Sequence, residues 1–373
     1  TAIDAVRHAT DVTGRGVAVL ADLQGPKIRL GRFGNGPVKL EVGAEFIITT
    51  DTVVGDVSRC STTYTGMAQD VRVDDFLLVD DGRILLRVDR VEGPDIVTEV
   101  LEGGVVSDNK GINMPGVAVS VPALAEKDID DLRWALKAGA DLVALSFVRS
   151  AADIADVHAV MDEVGIRVPV LAKIEKPQAV DNLADIVAAF DGIMVARGDL
   201  GVELPIEQVP LVQKQAISMC RNVGKPVIVA TQMLDSMVSA RRPTRAEASD
   251  VANAVLDGTD ALMLSAETSV GDHPITVVET MARIIRHVEE QTLTQLPPVA
   301  ESKVGSTARA LTRAACQVGE SVGATHLCTF TETGLTTRLV ARHRSPIPLV
   351  AFTPSQRVRS QLSLVWGVET FLT

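Results

Sequence analysis

Ala172-Lys173-Ile174-Glu175 is the segment with the most evident chemistry, and Asp199 follows 26 positions after Lys173. In extended backbone, residues i and i+2 point to the same side, so Lys173 and Glu175 are expected to share one. Asp199 closes the next apolar run, and neighbouring strands lie about 5 Å apart. An ammonium and two carboxylates therefore meet in a small volume. Two carboxylates with room for phosphate oxygens and water suit Mg²⁺, which usually takes one or two carboxylates plus substrate oxygens. A purely structural Lys–Glu–Asp ion network is the competing account. The segment Ala196-Arg197-Gly198-Asp199-Leu200-Gly201-Val202-Glu203 carries two glycines, whose backbone N–H groups can approach an anion closely. A plain tight turn is the alternative there. Asp22, Ser146, Thr231 and Ser265 end other apolar runs. One polar strand end means little, but all of them converging on one mouth is hard to obtain by chance.

The elements that must position these residues are short runs, nearly all apolar: Val17–Leu20, Leu142–Leu145, Val168–Ala172, Gly192–Ala196, Pro226–Ala230 and Ala261–Leu264. Runs of this kind fit strands buried on both faces. Helical patterns lie between and after them, at Ala151–Val164, Ala179–Phe190, Ile206–Val223, Arg245–Leu256 and Ile275–Glu290. Such alternation implies parallel βα units. Ser146, Lys173, Asp199, Thr231 and Ser265 fall 27, 26, 32 and 34 positions apart. A (β/α)8 barrel averages about 31 residues per unit and places working residues at the C-terminal ends of its strands. Six of its eight strands are countable, so two more are expected before Thr1.

The 124 positions from Asp22 to Ser146 are too many for one unit. Val38–Thr50, Phe76–Val91 and Ile96–Leu101 read as strands, and Asp81-Gly82 as a hairpin turn. The chain thus divides into a barrel (1–25 and 122–290), an inserted β-domain lid (26–121) hinged near Pro26 and Pro122, and a C-terminal α/β domain (302–373). A linker, Gln291–Glu301 with Pro297-Pro298, precedes the last domain. There Ser306–Gly319 and Leu335–Arg344 read as helices, and His326–Phe330, Leu349–Phe352 and Val368–Leu372 as strands. That sheet is expected to continue beyond Thr373.

A net charge of −12 argues against a nucleic-acid partner, which needs clustered Lys and Arg. No apolar run reaches the length of a membrane span. Cys60, Cys220, Cys316 and Cys328 form no CxxC pair, so free thiols in a reducing cytoplasm are expected. The histidines show no ligand spacing, and Trp134 and Trp366 are expected in the core.

Several runs together carry a specific resemblance. They are Asp22-Leu23-Gln24-Gly25-Pro26-Lys27-Ile28-Arg29, Asn109-Lys110-Gly111-Ile112-Asn113-Met114-Pro115-Gly116, Ala172-Lys173-Ile174-Glu175 and Met194-Val195-Ala196-Arg197-Gly198-Asp199-Leu200-Gly201. Further on come Ala230-Thr231-Gln232-Met233-Leu234, Arg242-Pro243-Thr244-Arg245-Ala246-Glu247 and Met263-Leu264-Ser265-Ala266-Glu267-Thr268. In order and spacing the chain resembles the pyruvate kinase family over essentially its whole length. The resemblance implies phosphoryl transfer from phosphoenolpyruvate to ADP, giving pyruvate and ATP in glycolysis, with magnesium or manganese. It implies that Glu175 and Asp199 hold the metal. It places the substrate carboxylate on the backbone of Gly198 and Asp199 with the Thr231 hydroxyl. Lys173 would face the transferring phosphoryl group, Thr231 and Ser265 the path that protonates the enolate carbon, and Arg29 and Lys110 the nucleotide phosphates. A cytoplasmic homotetramer is also implied.

The chain departs from the family's pattern in places. Of the side chains that usually bind a monovalent cation, only Asp22 is present. The quartet Leu23, Gln24, Lys27 and Leu30 resembles members in which a lysine ammonium replaces K⁺, so no K⁺ requirement is expected. Ala266 stands where glycine is usual, a change of small for small. Thr331-Glu332-Thr333-Gly334-Leu335-Thr336 resembles the phosphate loop of the family's allosteric site, with Thr331, Thr333 and Thr336 as candidate contacts. Glu332 argues against fructose bisphosphate, leaving a sugar-phosphate or nucleotide monophosphate effector, or a helix start merely capped by threonines. Two other functions compete: a metal-dependent aldolase-type barrel acting on pyruvate or phosphoenolpyruvate, and a truncated, non-catalytic chain working through subunit contacts.

Overall fold

Residues of the barrel strands alternate between two apolar surroundings. Leu142, Ala144, Leu171, Met194, Ile228 and Ala230 pack together on one face of the sheet. Val143, Leu145, Val170, Ala172, Ile193, Val195, Val227 and Val229 pack on the other face, among helix residues such as Val157, Ile186 and Ile217. A strand covered on both sides has no polar face to show, which explains the continuous apolar runs. The strands are Leu20–Asp22, Leu142–Leu145, Val170–Ile174, Gly192–Ala196, Val227–Ala230 and Ala261–Leu262. They form one six-stranded parallel sheet in chain order, an α/β barrel wall. The computed structural model describes residues 1–80, 82–117, 122–292, 296, 299 and 306–373. Asp81 of the expected hairpin turn, and much of the expected linker including Pro297 and Pro298, lie outside the described residues.

Some boundaries differ from expectation for local reasons. The first strand starts at Leu20, not Val17, because pairing with Leu142–Ala144 begins only there. The strand Val170–Ile174 runs past Ala172, so Lys173 lies within it and not after it. Ala151–Val164 is a 3-10 turn, Ala151–Asp153, followed by the helix Ile154–Val164. The Asp153 carboxylate takes the N–H groups of Arg149 and Ser150, which tightens that start. The segment read as a glycine turn is a short helix, Arg197–Glu203. By contrast Arg245–Asp257 is closed by local chemistry at both ends. Thr244 and Glu247 form a capping box, and Gly258 ends the helix at φ 92°, where a side chain would be strained.

The inserted segment holds a six-stranded sheet in the order Arg59–Ser61, Glu45–Thr49, Asp95–Glu102, Ile84–Glu92, Phe76–Val79 and Ile112–Asn113, with Val38–Leu40 paired to Gly104–Val106. Its core centres on Phe46, Ile48, Leu77 and Leu86. The expected run Phe76–Val91 is therefore two strands of a hairpin, and Val38–Thr50 is also two strands.

The last unit is a three-stranded parallel sheet, Leu327–Phe330, Leu349–Thr353 and Val368–Leu372, with helices Thr307–Ser321, Leu335–Ala341 and Gln356–Leu362. The third helix was not anticipated. Arg344 fastens this unit to the barrel, bonding Asp260 at 3.0 Å and the Gly258 carbonyl at 2.7 Å while stacking over Trp366. Trp366 is partly buried, but Trp134 is 60% exposed on the helix Glu126–Lys137, contrary to the expectation of a core residue. Cys60, Cys220 and Cys316 are buried, Cys328 is exposed, and all four are free.

His343 gives this unit an acid sensitivity. Burial, then the charges of Arg342, Arg313 and Arg221, hold its pKa down to about 4. The unfolded chain keeps about 6.5 and so binds more protons between those values. Stability from this site is complete above about pH 6.5 and is lost as pH falls toward 4. Urea midpoints of the wild type are expected to fall through that window more steeply than those of His343→Gln. Parallel curves would discard His343 as the cause.

Candidate active site

Along Val170–Ile174, Leu171 lies on the face shared with Leu142 and Met194, so Lys173 follows it on that face and Glu175 continues the same alternation. The Lys173 ammonium has three N–H donors, and the structure supplies three acceptors. They are Asp22 Oδ1 at 3.1 Å, Glu175 Oε1 at 3.0 Å and Ser146 Oγ at 2.8 Å. Ser146 donates to the Leu23 carbonyl at 2.6 Å, which turns an oxygen lone pair toward Lys173. The other Glu175 oxygen accepts the Phe147 N–H at 2.9 Å. Glu175 is 1% exposed, so both of its oxygens are fixed.

The electrostatics follow from that burial. Desolvation, with the nearby charge of Asp199, raises the Glu175 pKa above its ordinary value, outweighing Lys173 and the Phe147 N–H. For Lys173, burial is the largest influence and pulls downward. Glu175 and Asp22 together overcome it, so the pKa is raised and the ammonium stays charged. Asp199 is more open, and its nearest cation is Lys27 Nζ at 3.9 Å. A divalent cation fits here: two neighbouring carboxylates repel each other, one is buried, and the other has only a distant partner. Among the described residues no group of three or more His, Cys, Asp or Glu could hold a metal. Further ligands would have to come from substrate or water.

Thr231 and Gln232 have φ of 70° and 54°, and Phe147 has φ of 56°. Such backbone costs about 1–3 kcal/mol per residue and collects at functional sites. Arg197 accounts for the first two, since its Nη2 donates to the Thr231 carbonyl at 2.8 Å and the Gln232 carbonyl at 3.3 Å, while Asp250 anchors it. The Thr231 hydroxyl accepts the Gly198 N–H at 2.7 Å, so these two expected substrate contacts touch each other. Ser265 Oγ is buried with no hydrogen-bond partner.

Not every expected residue joins this cluster in the expected way. Lys110 pairs with Asp80 at 2.7 Å, and Arg29 donates to the Asn109 carbonyl at 3.0 Å, both in the inserted domain. Asp22 faces Lys173 while Lys27 faces Asp199, so no contact joins the two residues expected to share a cation site. In the C-terminal unit, Thr331 is buried and accepts the Gly334 N–H at 2.9 Å, whereas Thr333 and Thr336 are exposed.

Sequence reading missed a second hub. Glu203, 6% exposed, accepts from Lys176 at 2.7 Å and from Asn113 of the inserted domain at 3.1 Å. Lys176 also lies 5.1 Å above the Phe147 ring. The only signal was an acidic residue closing the glycine-containing segment. Between the inserted domain and the barrel mouth lies a cleft of about 580 Å³ whose lining includes Lys27, Asn113, Phe147, Arg149 and Lys176.

A preorganised ammonium and paired carboxylates at the mouth of a parallel α/β barrel, beneath an inserted β-domain, define a barrel enzyme of the phosphotransferase class. The family model "Pyruvate kinase, barrel domain" matches residues 1–278, and "Pyruvate kinase, alpha/beta domain" matches 309–373. The pyruvate kinase of Mycobacterium tuberculosis is 59% identical over 372 residues, covering 100% of this chain and 78% of that protein. That of Corynebacterium efficiens is 58% identical, covering 98% and 77%. A crystal structure of a pyruvate kinase from Cryptosporidium parvum superimposes with a TM-score of 0.90 at 36% identity, covering 99% of this chain and 77% of that one. The chain belongs to the pyruvate kinase family. The aldolase-type reading falls with these matches.

Proposed function

We propose that the protein transfers the phosphoryl group of phosphoenolpyruvate to ADP, with the chemistry centred on Lys173. The observation that carries this reading is the threefold clamp on Lys173 beside Glu175 and Asp199. Phosphoryl transfer needs positioning and charge neutralisation more than covalent help. Lys173 is held charged beside Glu175 and Asp199 and would meet the transferring group and the enolate oxygen by exchanging one of its three present partners for substrate. Glu175 and Asp199 would hold Mg²⁺ or Mn²⁺, which when bound neutralises phosphate charge. The Gly198 and Asp199 N–H groups and the Thr231 hydroxyl bind the substrate carboxylate, exchanging the Gly198–Thr231 bond for contacts with substrate. Thr231 and Ser265 deliver the proton to the enolate carbon, and the partnerless Ser265 hydroxyl supports that role. Arg29 and Lys110 take nucleotide phosphates once the lid closes. The cationic residues of the cleft suit a polyanionic nucleotide. A pyruvate-coupled assay with ADP and Mg²⁺ tests the reading; no pyruvate from phosphoenolpyruvate would end it.

Lys27 supplies a fixed positive charge beside Asp199, which supports independence from K⁺. Replacing NaCl by KCl at constant ionic strength is expected to change the rate less than about twofold. A large activation by KCl would discard this role for Lys27. Exposed Thr333 and Thr336 support a phosphate effector in the C-terminal unit. A cytoplasmic homotetramer completes the reading on family grounds. Among the described residues no helix is long and apolar enough to cross a membrane.

A further inference from the structure

At the opposite end of the barrel strands from Lys173, basic side chains from distant parts of the chain gather in one cleft. Pro226 and Asp260, which precede the strands Val227–Ala230 and Ala261–Leu262, form its floor, and the C-terminal unit forms its roof. Five cationic residues line it, Arg221, Lys225, Arg338, Arg342 and Arg344, against one lining carboxylate, Asp260, with Asp191 near enough to act on Lys225 and Arg338. In a chain of net charge −12 this is a local reversal of sign.

Two of the five are accounted for. Arg344 has Asp260, the Gly258 carbonyl and the Trp366 ring. Lys225 caps the end of Leu183–Ala189 through the carbonyls of Val187, Ala188 and Phe190. Asp260 is fully engaged, because it also accepts the Val227 N–H at 3.0 Å and the Trp366 N–H at 3.2 Å. Arg342 reaches the Asn222 carbonyl at 2.7 Å. Arg221 makes one long bond, 3.4 Å, to the Arg342 carbonyl, and Arg338 one of 3.3 Å to the Thr333 carbonyl.

Arg221 and Arg342 are 6% and 8% exposed, and the Nε–H of each is buried without a partner. A buried guanidinium is costly unless an anion compensates it, and the one carboxylate acting on Arg221, Asp260, is already shared with Arg344. Burial, then the neighbouring Arg344, lowers the Arg221 pKa to about 10. Gly258 preserves the arrangement: a Cβ there would come within 2.8 Å of the Arg221 side chain.

We propose that this cleft binds a small phosphate-type oxyanion between Arg221, Arg338 and Arg342. Guanidinium forks pair with phosphate oxygens through parallel N–H bonds, and a tetrahedral anion offers acceptors to several forks at once. The cleft is small and partly open, so only a small anion such as inorganic phosphate or the head of a phosphomonoester suits it. Arg221 belongs to the barrel and Arg338 and Arg342 to the C-terminal unit, so the bound anion would join the two. The inference is independent of the reading of the barrel mouth.

Thermal unfolding and equilibrium dialysis test it, with inorganic phosphate and methyl phosphate compared against chloride at equal ionic strength. The wild type and Lys173→Met, which alters only the mouth, are expected to gain the same Tm increment from phosphate. Arg221→Met and Arg342→Met should bind phosphate at least tenfold more weakly and keep only the chloride increment. Without phosphate, Arg221→Met should be at least as stable as the wild type, since a like charge has been removed; a purely structural arginine would give the reverse. If Arg342→Met fails to fold, Arg338→Met takes its place. Stabilisation by methyl phosphate alone would assign the site to an ester. No phosphate effect on the wild type, or an unchanged dissociation constant in Arg221→Met, overturns the proposal.

Discussion

Lys173→Met is expected to lower kcat by about two to three orders of magnitude while the KM for phosphoenolpyruvate stays within a few-fold. A preorganised donor aimed at developing charge is worth about 3–4 kcal/mol in comparable sites, and each 1.36 kcal/mol is tenfold in rate. Methionine keeps the length and apolar stem but removes all three donors. Asp22, Glu175 and Ser146 then lose their shared partner, so some stability will also go. Circular dichroism and a Tm measurement must show that the variant is folded before its rate is interpreted. Because Asp22 and Glu175 hold the ammonium protonated, the wild-type rate should not depend on Lys173 titrating in the neutral range. A rise in KM with kcat unchanged would assign Lys173 to ground-state binding and remove it from the transition state.

The residues that could be read in advance share a physical reason. Lys173 and Glu175 are two apart in a strand, and strand geometry alone puts them on one side. The barrel strands are covered on both faces, so they announce themselves as unbroken apolar runs. What could not be read depends on contacts across long stretches of chain. Ser146 was visible as a strand end, but its hydroxyl turns to Lys173 only because the Leu23 carbonyl is there to receive its proton. Glu203 gathers Lys176 and Asn113 from two domains, and no local pattern encodes that. Asp22 and Lys27 are only five positions apart, yet Asp22 faces Lys173 while the intervening turn sends Lys27 to Asp199. Trp134 is expected in the core, whereas its position on the outer side of Glu126–Lys137 leaves it in water. The arginines of the basal cleft are unremarkable one by one, since Arg221 and Arg342 are neighbours only after folding.

Glu175→Gln separates a metal site from a structural salt network, the two accounts that the residues alone left open. In the wild type one Glu175 oxygen accepts from Lys173 and the other from the Phe147 N–H. Glutamine preserves the volume, but its NH₂ must face one of those donors, and no water can intervene at 1% exposure. A loss of about 1–3 kcal/mol of stability is expected from the unsatisfied group. Asp199→Asn should cost much less stability, because its side chain is 28% exposed and Lys27 is 3.9 Å away. If the two carboxylates hold a cation together, both variants should nevertheless weaken Mn²⁺ binding, measured by electron paramagnetic resonance, by at least about tenfold, since tuning partners behind a ligand already cost 10–100-fold. A structural network predicts the same division of stability, Glu175→Gln costly and Asp199→Asn nearly silent, but leaves Mn²⁺ affinity unchanged in both. Raising Mg²⁺ should restore part of the rate of Asp199→Asn and little of that of Glu175→Gln, because only the second also disturbs the clamp on Lys173.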